Sequence, residues 1–295
     1  MYVQYSQGFP GVVVDDEAGK IYVDTSGDLT QPLAEFYDAY LKNDTEPFAM
    51  TPDVSSGLHA FLSLKDPSPR AVKGQVVGPV TWGLMVVDEK GKAVLYDDTL
   101  GDVLPRFLKL KAAWQEKVLS RLCRNTIMFI DEPYMASFGS SYVAVSEEKV
   151  ISLLEEVFSG LSGIKGIHCC GNTDWSVLLK TSTDIISFDT YEFAGSLALY
   201  PAEVNKFLAR GGAIAWGIVP NEVETLAKET VASLKDRLEE AITPFTKDGT
   251  PFREILSHSL LTPACGLARL GSEEAAEQAL EILSELSTAM RKLYL

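Results

Sequence analysis

The chain has only three histidines and four cysteines, yet His168, Cys169 and Cys170 are consecutive. On an extended strand alternate residues face the same way, so His168 and Cys170 project together while Cys169 turns to the opposite side. An imidazole and a thiolate side by side at a strand end are two parts of a zinc site. The remaining ligands must come from other segments. Asp131 and Glu132 precede Pro133, Asp189 and Glu192 are three residues apart, and Cys265 falls within Thr262-Pro263-Ala264-Cys265-Gly266. His168, Cys170, Cys265 and one of these carboxylates make a four-ligand set typical of zinc, without the close spacing of a structural finger. That pattern suits a catalytic site. A zinc ion with two thiolate ligands carries little net positive charge and is a weak generator of hydroxide. It suits an incoming thiol, held as thiolate at neutral pH, where a free thiol of pKa ~8.5 is mostly protonated. The chemistry indicated is S-alkylation, with a weakly held carboxylate that steps aside for substrate sulfur.

Other residues of reactive type read more plainly. Cys123, within a helical pattern, and Cys169 read as small buried hydrophobes. His59 and His258 have no ligand type beside them and read as structural. Asp131-Glu132-Pro133 reads equally as a strand terminus with a helix cap. Trp82, Trp175 and Trp216 fall at or near strand ends, where they either line a pocket or fill the core.

These residues need strands that end close together. Apolar runs at 71–81, 126–133, 163–170, 184–191, 213–220 and 260–266 read as strands. Between them apolar residues recur at spacings of three and four: Phe107, Leu110, Trp114, Val118 and Leu122; Val223, Leu226, Ala227, Val231, Leu234 and Leu238; Ala276, Ala279, Leu280, Leu283, Leu286, Met290 and Leu293. Ser146 and Ser272 are expected N-caps. This alternation predicts parallel strands covered by helices, an α/β fold of six βα units after residue 70. A (β/α)8 barrel needs eight strands, and it carries its active site at the C-terminal strand ends. Residues 1–70 read instead as a β-hairpin, 11–15 with 20–24 joined by 16–19, followed by helices at 32–41 and 56–63. The expected architecture is one domain over 1–295, a (β/α)8 TIM-type barrel incomplete at its N-terminus, with the hairpin and helices in 1–70 and the βα units in 71–295.

A chain of 295 residues, 46% hydrophobic and 23% charged, has an ordinary globular composition. Its formal charge of -15 argues against nucleic acid and anionic membranes as partners, since both demand basic patches. No apolar run approaches the roughly 20 residues of a membrane span. Residues 1–10 show no basic region leading into an apolar stretch, so no signal peptide is expected. With two of four cysteines adjacent, a reduced, cytoplasmic setting is expected.

The succession Val72-Lys73-Gly74-Gln75-Val76-Val77-Gly78-Pro79-Val80-Thr81, Ile130-Asp131-Glu132-Pro133, His168-Cys169-Cys170, Ser187-Phe188-Asp189 and Pro263-Ala264-Cys265-Gly266-Leu267 resembles the catalytic half of cobalamin-independent methionine synthase. The stretch from His168 to Trp175 is most similar to the compact core methionine synthases. The resemblance covers roughly residues 70–295 and implies a (β/α)8 barrel, shared with uroporphyrinogen decarboxylase, that transfers a methyl group to the zinc-bound thiolate of homocysteine. It implies His168 and Cys170 as the His-x-Cys zinc pair and Cys265 as the late ligand. Asp189 stands where the family usually has a glutamate ligand, with Glu192 the alternative. It implies that Asp131 holds the substrate amino group, with Asp131 and Glu132 in the catalytic set. Trp82 and Asn172 are expected to be further substrate contacts.

Two departures matter. The family's first-strand Ile-Gly-Ser-Phe-Pro-like motif has no counterpart in residues 1–70, so the chain reads as lacking the first barrel strands. The second N-terminal barrel of the long members, which helps bind methyltetrahydrofolate, is also absent. The expected donor is therefore methylcobalamin or a methylated corrinoid, free or on a corrinoid protein. The rival expectations are transfer to another thiol or from another methylated substrate, and an inactive binding role in which a homodimer supplies the missing strands.

Overall fold

A computed structural model describes residues 2–15, 17–65, 68–141, 143–247 and 250–295. The fold is α/β, and the chain divides into two compact units, Met1–Gly166 and Ile167–Leu295.

In the first unit the expected hairpin forms from β1 (Val12–Asp15) and β2 (Lys20–Val23), paired antiparallel with Val12 opposite Val23. Asp16, in the turn expected to join them, lies outside the described residues. Helices Thr30–Lys42 and Ser56–Leu62 follow. β3 (Val72–Val77) is shorter than the apolar run suggests. Gly78 is still extended, but Pro79 opens the helix Pro79–Met85, because a fixed φ and a missing N–H suit the first helical position. β4 (Val87–Asp88), too short to register as a pattern, joins β2 in parallel and completes a three-stranded sheet. The helix Leu100–Leu119 leads to β5 (Thr126–Asp131), which pairs in parallel with β3, placing Val77 opposite Asp131. Cys123 lies beyond that helix, not inside it. The helix ends at Leu119, and the half-buried thiol faces the Pro69 carbonyl.

The helix Glu147–Phe158 is capped by Ser146, whose hydroxyl accepts the Lys149 amide at 3.3 Å. β6 (Ile164–Cys169) then carries the chain from the first unit into the second. Its entry is fixed from within the first unit. The buried Glu116 carboxylate accepts hydrogen bonds from the Thr126 hydroxyl (2.8 Å), the Ser162 amide (2.9 Å) and hydroxyl (3.0 Å), and the Gly163 amide (2.7 Å).

In the second unit β7 (Ile185–Asp189), β8 (Ala213–Val219) and β9 (Ser259–Pro263) are parallel neighbours. Aromatic rings pack in a row along their outer side: Trp175 to Phe188 at 5.4 Å between centroids, Phe188 to Trp216 at 5.8 Å, and Trp216 to Phe245 at 6.0 Å. All four rings are fully buried. The row fixes which face of β7 looks inward, because Phe188 takes the helix-covered side and its neighbours Ser187 and Asp189 must take the other. The periodic run 223–238 is two helices rather than one, Val223–Leu226 and Val231–Thr246. Thr230 and Ser233 make a reciprocal capping box there, which starts a new helix where the apolar spacing alone suggests continuity. The last helix, Glu273–Tyr294, starts at Ser272 as expected.

All six expected strands form among the described residues. No described helix is long and apolar enough to cross a membrane. Glu116→Ala should leave the buried Thr126 hydroxyl without its acceptor, and free the more accessible Ser162 and Gly163 donors to water, lowering unfolding stability by about 2 kcal/mol, read from urea denaturation. A loss below about 0.5 kcal/mol would show that this anchor is dispensable.

Candidate functional site

The second unit brings together three of the residues singled out by type. One donor atom each from His168, Cys170 and Cys265 lie within 4.8 Å of one another. All three side chains are partly accessible, and none of the four cysteines is in a disulfide. His168 is the penultimate residue of β6 and Cys170 follows its end. Cys169 between them is completely buried, as the strand alternation requires. His168 turns Nε2 toward the Cys265 sulfur at 3.9 Å, and its Nδ1 lies 3.0 Å from the Ser187 hydroxyl.

Cys265 reaches this position through an irregularity at the end of the sheet. The pairing of β8 with β9 shifts register between Gly217 and Val219, and Ala264 then donates its amide to the Val219 carbonyl at 2.8 Å. A shift of this kind re-aims the residues that follow it. Asn221, buried, donates to the Gly266 carbonyl at 3.2 Å and holds the next turn. Gly217 permits the crossing. A Cβ there would overlap the Phe188 carbonyl oxygen and lie 3.0 Å from the Ala264 Cα.

The two thiols do not titrate alike. Cys265 is pulled well below the ordinary thiol range, first by the hydrogen bond it accepts from Cys170 and then by His168. Cys170 is pushed up by the same bond and by burial. Two sulfurs this close share one proton, and a cation is what allows both to be thiolates. One imidazole nitrogen and two sulfurs are donors suited to zinc, and three protein ligands leave a fourth position open.

The expected carboxylates are placed differently. Asp189 lies outside the group of three; its Oδ1 accepts the Glu192 amide at 2.9 Å and caps the helix Thr190–Leu197. Burial raises its carboxyl, the Glu192 amide opposes this, and the charges of Glu192 and Cys265 add to the rise. Glu192 itself is exposed, as is Asn172. In the first unit, Asp131 ends β5 and is buried. Glu132 is fully buried and accepts the amides of Val80 (2.9 Å) and Thr81 (2.7 Å) and the Thr81 hydroxyl (2.6 Å). It thereby secures the start of the helix Pro79–Met85, with Gly78 leaving it room. Trp82 is fully buried between Phe9 and Phe107, and its indole N–H donates to the Ser6 hydroxyl at 3.1 Å. That environment is core rather than pocket wall. His59 and His258 make local contacts with the Met50 and Glu254 carbonyls.

Ser187, Gly217 and Asn221 support the three donors but have no reactive signature of their own in sequence. Only the strand alternation linking Ser187 to Asp189 could have flagged the first.

No protein-family model matches the chain, and no curated protein sequence matches it. Among solved structures, a methyltransferase from Methanosarcina mazei is similar with a TM-score of 0.51, covering 82% of this chain and 69% of its own, at 16% identity. The chain shares the fold of that methyltransferase.

Burial raises the Glu132 carboxyl to about 7 against the opposing hydrogen bonds from Thr81 and Val80. A folded value above the unfolded one means that stability is greatest below the unfolded pKa and falls as pH rises through the folded one. Urea unfolding should therefore show a decline between about pH 4.5 and 7 that is absent in Glu132→Gln. Parallel pH profiles for the two proteins would assign the decline to another group.

Proposed function

We propose that this chain is a zinc-dependent methyltransferase that forms methionine by methylating the thiol of homocysteine, with a methylated corrinoid as donor, on a fold of the (β/α)8 barrel type. The observation that carries the reading is the convergence of His168, Cys170 and Cys265 to within 4.8 Å, from segments nearly a hundred residues apart. The resemblance in motif order and the shared methyltransferase fold both support it.

His168 through Nε2 and both sulfurs would hold the ion. Zinc bound there would keep an incoming thiol as its thiolate at neutral pH, where a free thiol is mostly protonated. Asp189 keeps a proposed role as the exchangeable fourth ligand. With Oδ1 engaged by the Glu192 amide, it would coordinate through Oδ2. Its place as a helix cap makes it a tethered ligand that can leave without losing its own anchorage. Asp131 would pair with the ammonium of the acceptor, in keeping with the family resemblance. In the transfer, the acceptor sulfur forms a bond to the methyl carbon, the carbon–donor bond breaks with its electron pair retained by the corrinoid, and the thiol proton passes to solvent.

Purified protein should contain about one zinc per chain, whereas Cys170→Ser and Cys265→Ser should lose it. Stoichiometric zinc in both variants would overturn the site. Incubation with methylcobalamin and a panel of thiols should give methionine from homocysteine. Transfer only to a different thiol would reassign the acceptor, and no transfer by the zinc-loaded protein to any thiol would favour a binding role. Asp131→Asn should raise KM for homocysteine about tenfold while leaving zinc content unchanged, the pattern of a lost ion pair with the acceptor's ammonium.

A further inference from the structure

We infer that Ser187 is the positioning residue that fixes the ring orientation and tautomer of His168, so that Nε2 presents a lone pair to the ion; this rests on the metal reading above. The imidazole has two nitrogens, and only one can face the sulfurs. Nε2 does, at 3.9 Å from Cys265. For Nε2 to be a ligand its proton must be on Nδ1, and that proton needs an acceptor. The Ser187 Oγ is 3.0 Å from Nδ1.

Three features make Ser187 a fixture rather than an incidental neighbour. It is only 6% exposed, so water has little access to replace it. It lies in the middle of β7, with Ala215 of β8 opposite, on backbone that the sheet holds in register. Its orientation is fixed by the next residue, because Phe188 is locked between Trp175 and Trp216. A one-residue slip of β7 would put a phenyl ring against His168 in place of a hydroxyl. A serine hydroxyl can donate as well as accept. If it donated to Nδ1, the proton would sit on Nε2 and point into the sulfurs, which no metal site tolerates. With an ion on the three donors, only the arrangement in which Nδ1–H donates to Ser187 leaves the Nε2 lone pair to bind it.

The test is zinc affinity by chelator competition for the full chain, with Ser187→Ala and Ser187→Thr compared with the unsubstituted protein. Ser187→Ala should weaken zinc binding about 10–100-fold, the usual effect of losing such an outer partner. Ser187→Thr, which keeps the hydroxyl, should restore binding to within a few fold. The d–d bands of the cobalt-loaded protein should shift in the alanine variant alone. Metal-free thermal unfolding should be the same for all three, which separates positioning from a general loss of structure. Alanine-variant affinity equal to that of the unsubstituted protein overturns the inference. So does a loss matched by an equal loss in the threonine variant, or one accompanied by a drop in metal-free stability. Failure of the unsubstituted protein to bind zinc at all would sink the metal reading instead, so the two failures are distinguishable.

Discussion

Two cysteine sulfurs held this close to each other and to an imidazole set the main constraint on the second unit. Without a cation the pair retains a proton, and one sulfur is an acceptor at the other's expense. With a cation both become anions whose mutual repulsion is offset. The local architecture is consistent with this one demand. β6 delivers His168 and Cys170 from its end and buries Cys169 behind them. The register shift between β8 and β9 delivers Cys265. Asn221 holds the turn that follows, so the third donor does not depend on an unrestrained loop.

Three carboxylates in this protein act as acceptors for backbone amides at element junctions. Glu116 gathers the segment before β6, Glu132 secures the helix after β3, and Asp189 caps the helix after β7. Glu132 and Asp189 satisfy donors that a strand–turn–helix junction would otherwise leave unpaired, and Glu116 does the same at a turn from helix into strand. The cost is desolvation of the carboxylate, visible in the upward shift of Glu132 and Asp189. Strand ends rich in acidic residues therefore carry two meanings, reaction chemistry and helix initiation, and residue type does not separate them. Asp131-Glu132-Pro133 illustrates the point: Glu132 is consumed by a helix start, while Asp131 beside it ends β5.

Much of this was legible in the sequence. All six apolar runs became strands, because continuous β-branched and aromatic residues bounded by helix signals leave few alternatives. The pairing of His168 with Cys170 follows from the two-residue period of a strand. Strand ends were overestimated, since Pro79 and Thr190 start helices that apolarity alone does not reveal. The break at Thr230 was hidden because the apolar period happens to continue across it. Ser187, Gly217 and Asn221 were not legible as parts of the site. Their roles depend on which side chains meet across strands, and serine, glycine and asparagine are common for many other reasons.

The close crossing at Gly217 bears on how residues near this centre can be ranked by mutagenesis. Any side chain there collides with the Phe188 carbonyl and crowds Ala264, the residue before Cys265, without removing a single donor. A scan scored by turnover alone would place this glycine beside the ligands, although it has no atom able to bind an ion. Only a separate count of bound metal against folded protein tells a residue that makes the centre from one that merely leaves space for it.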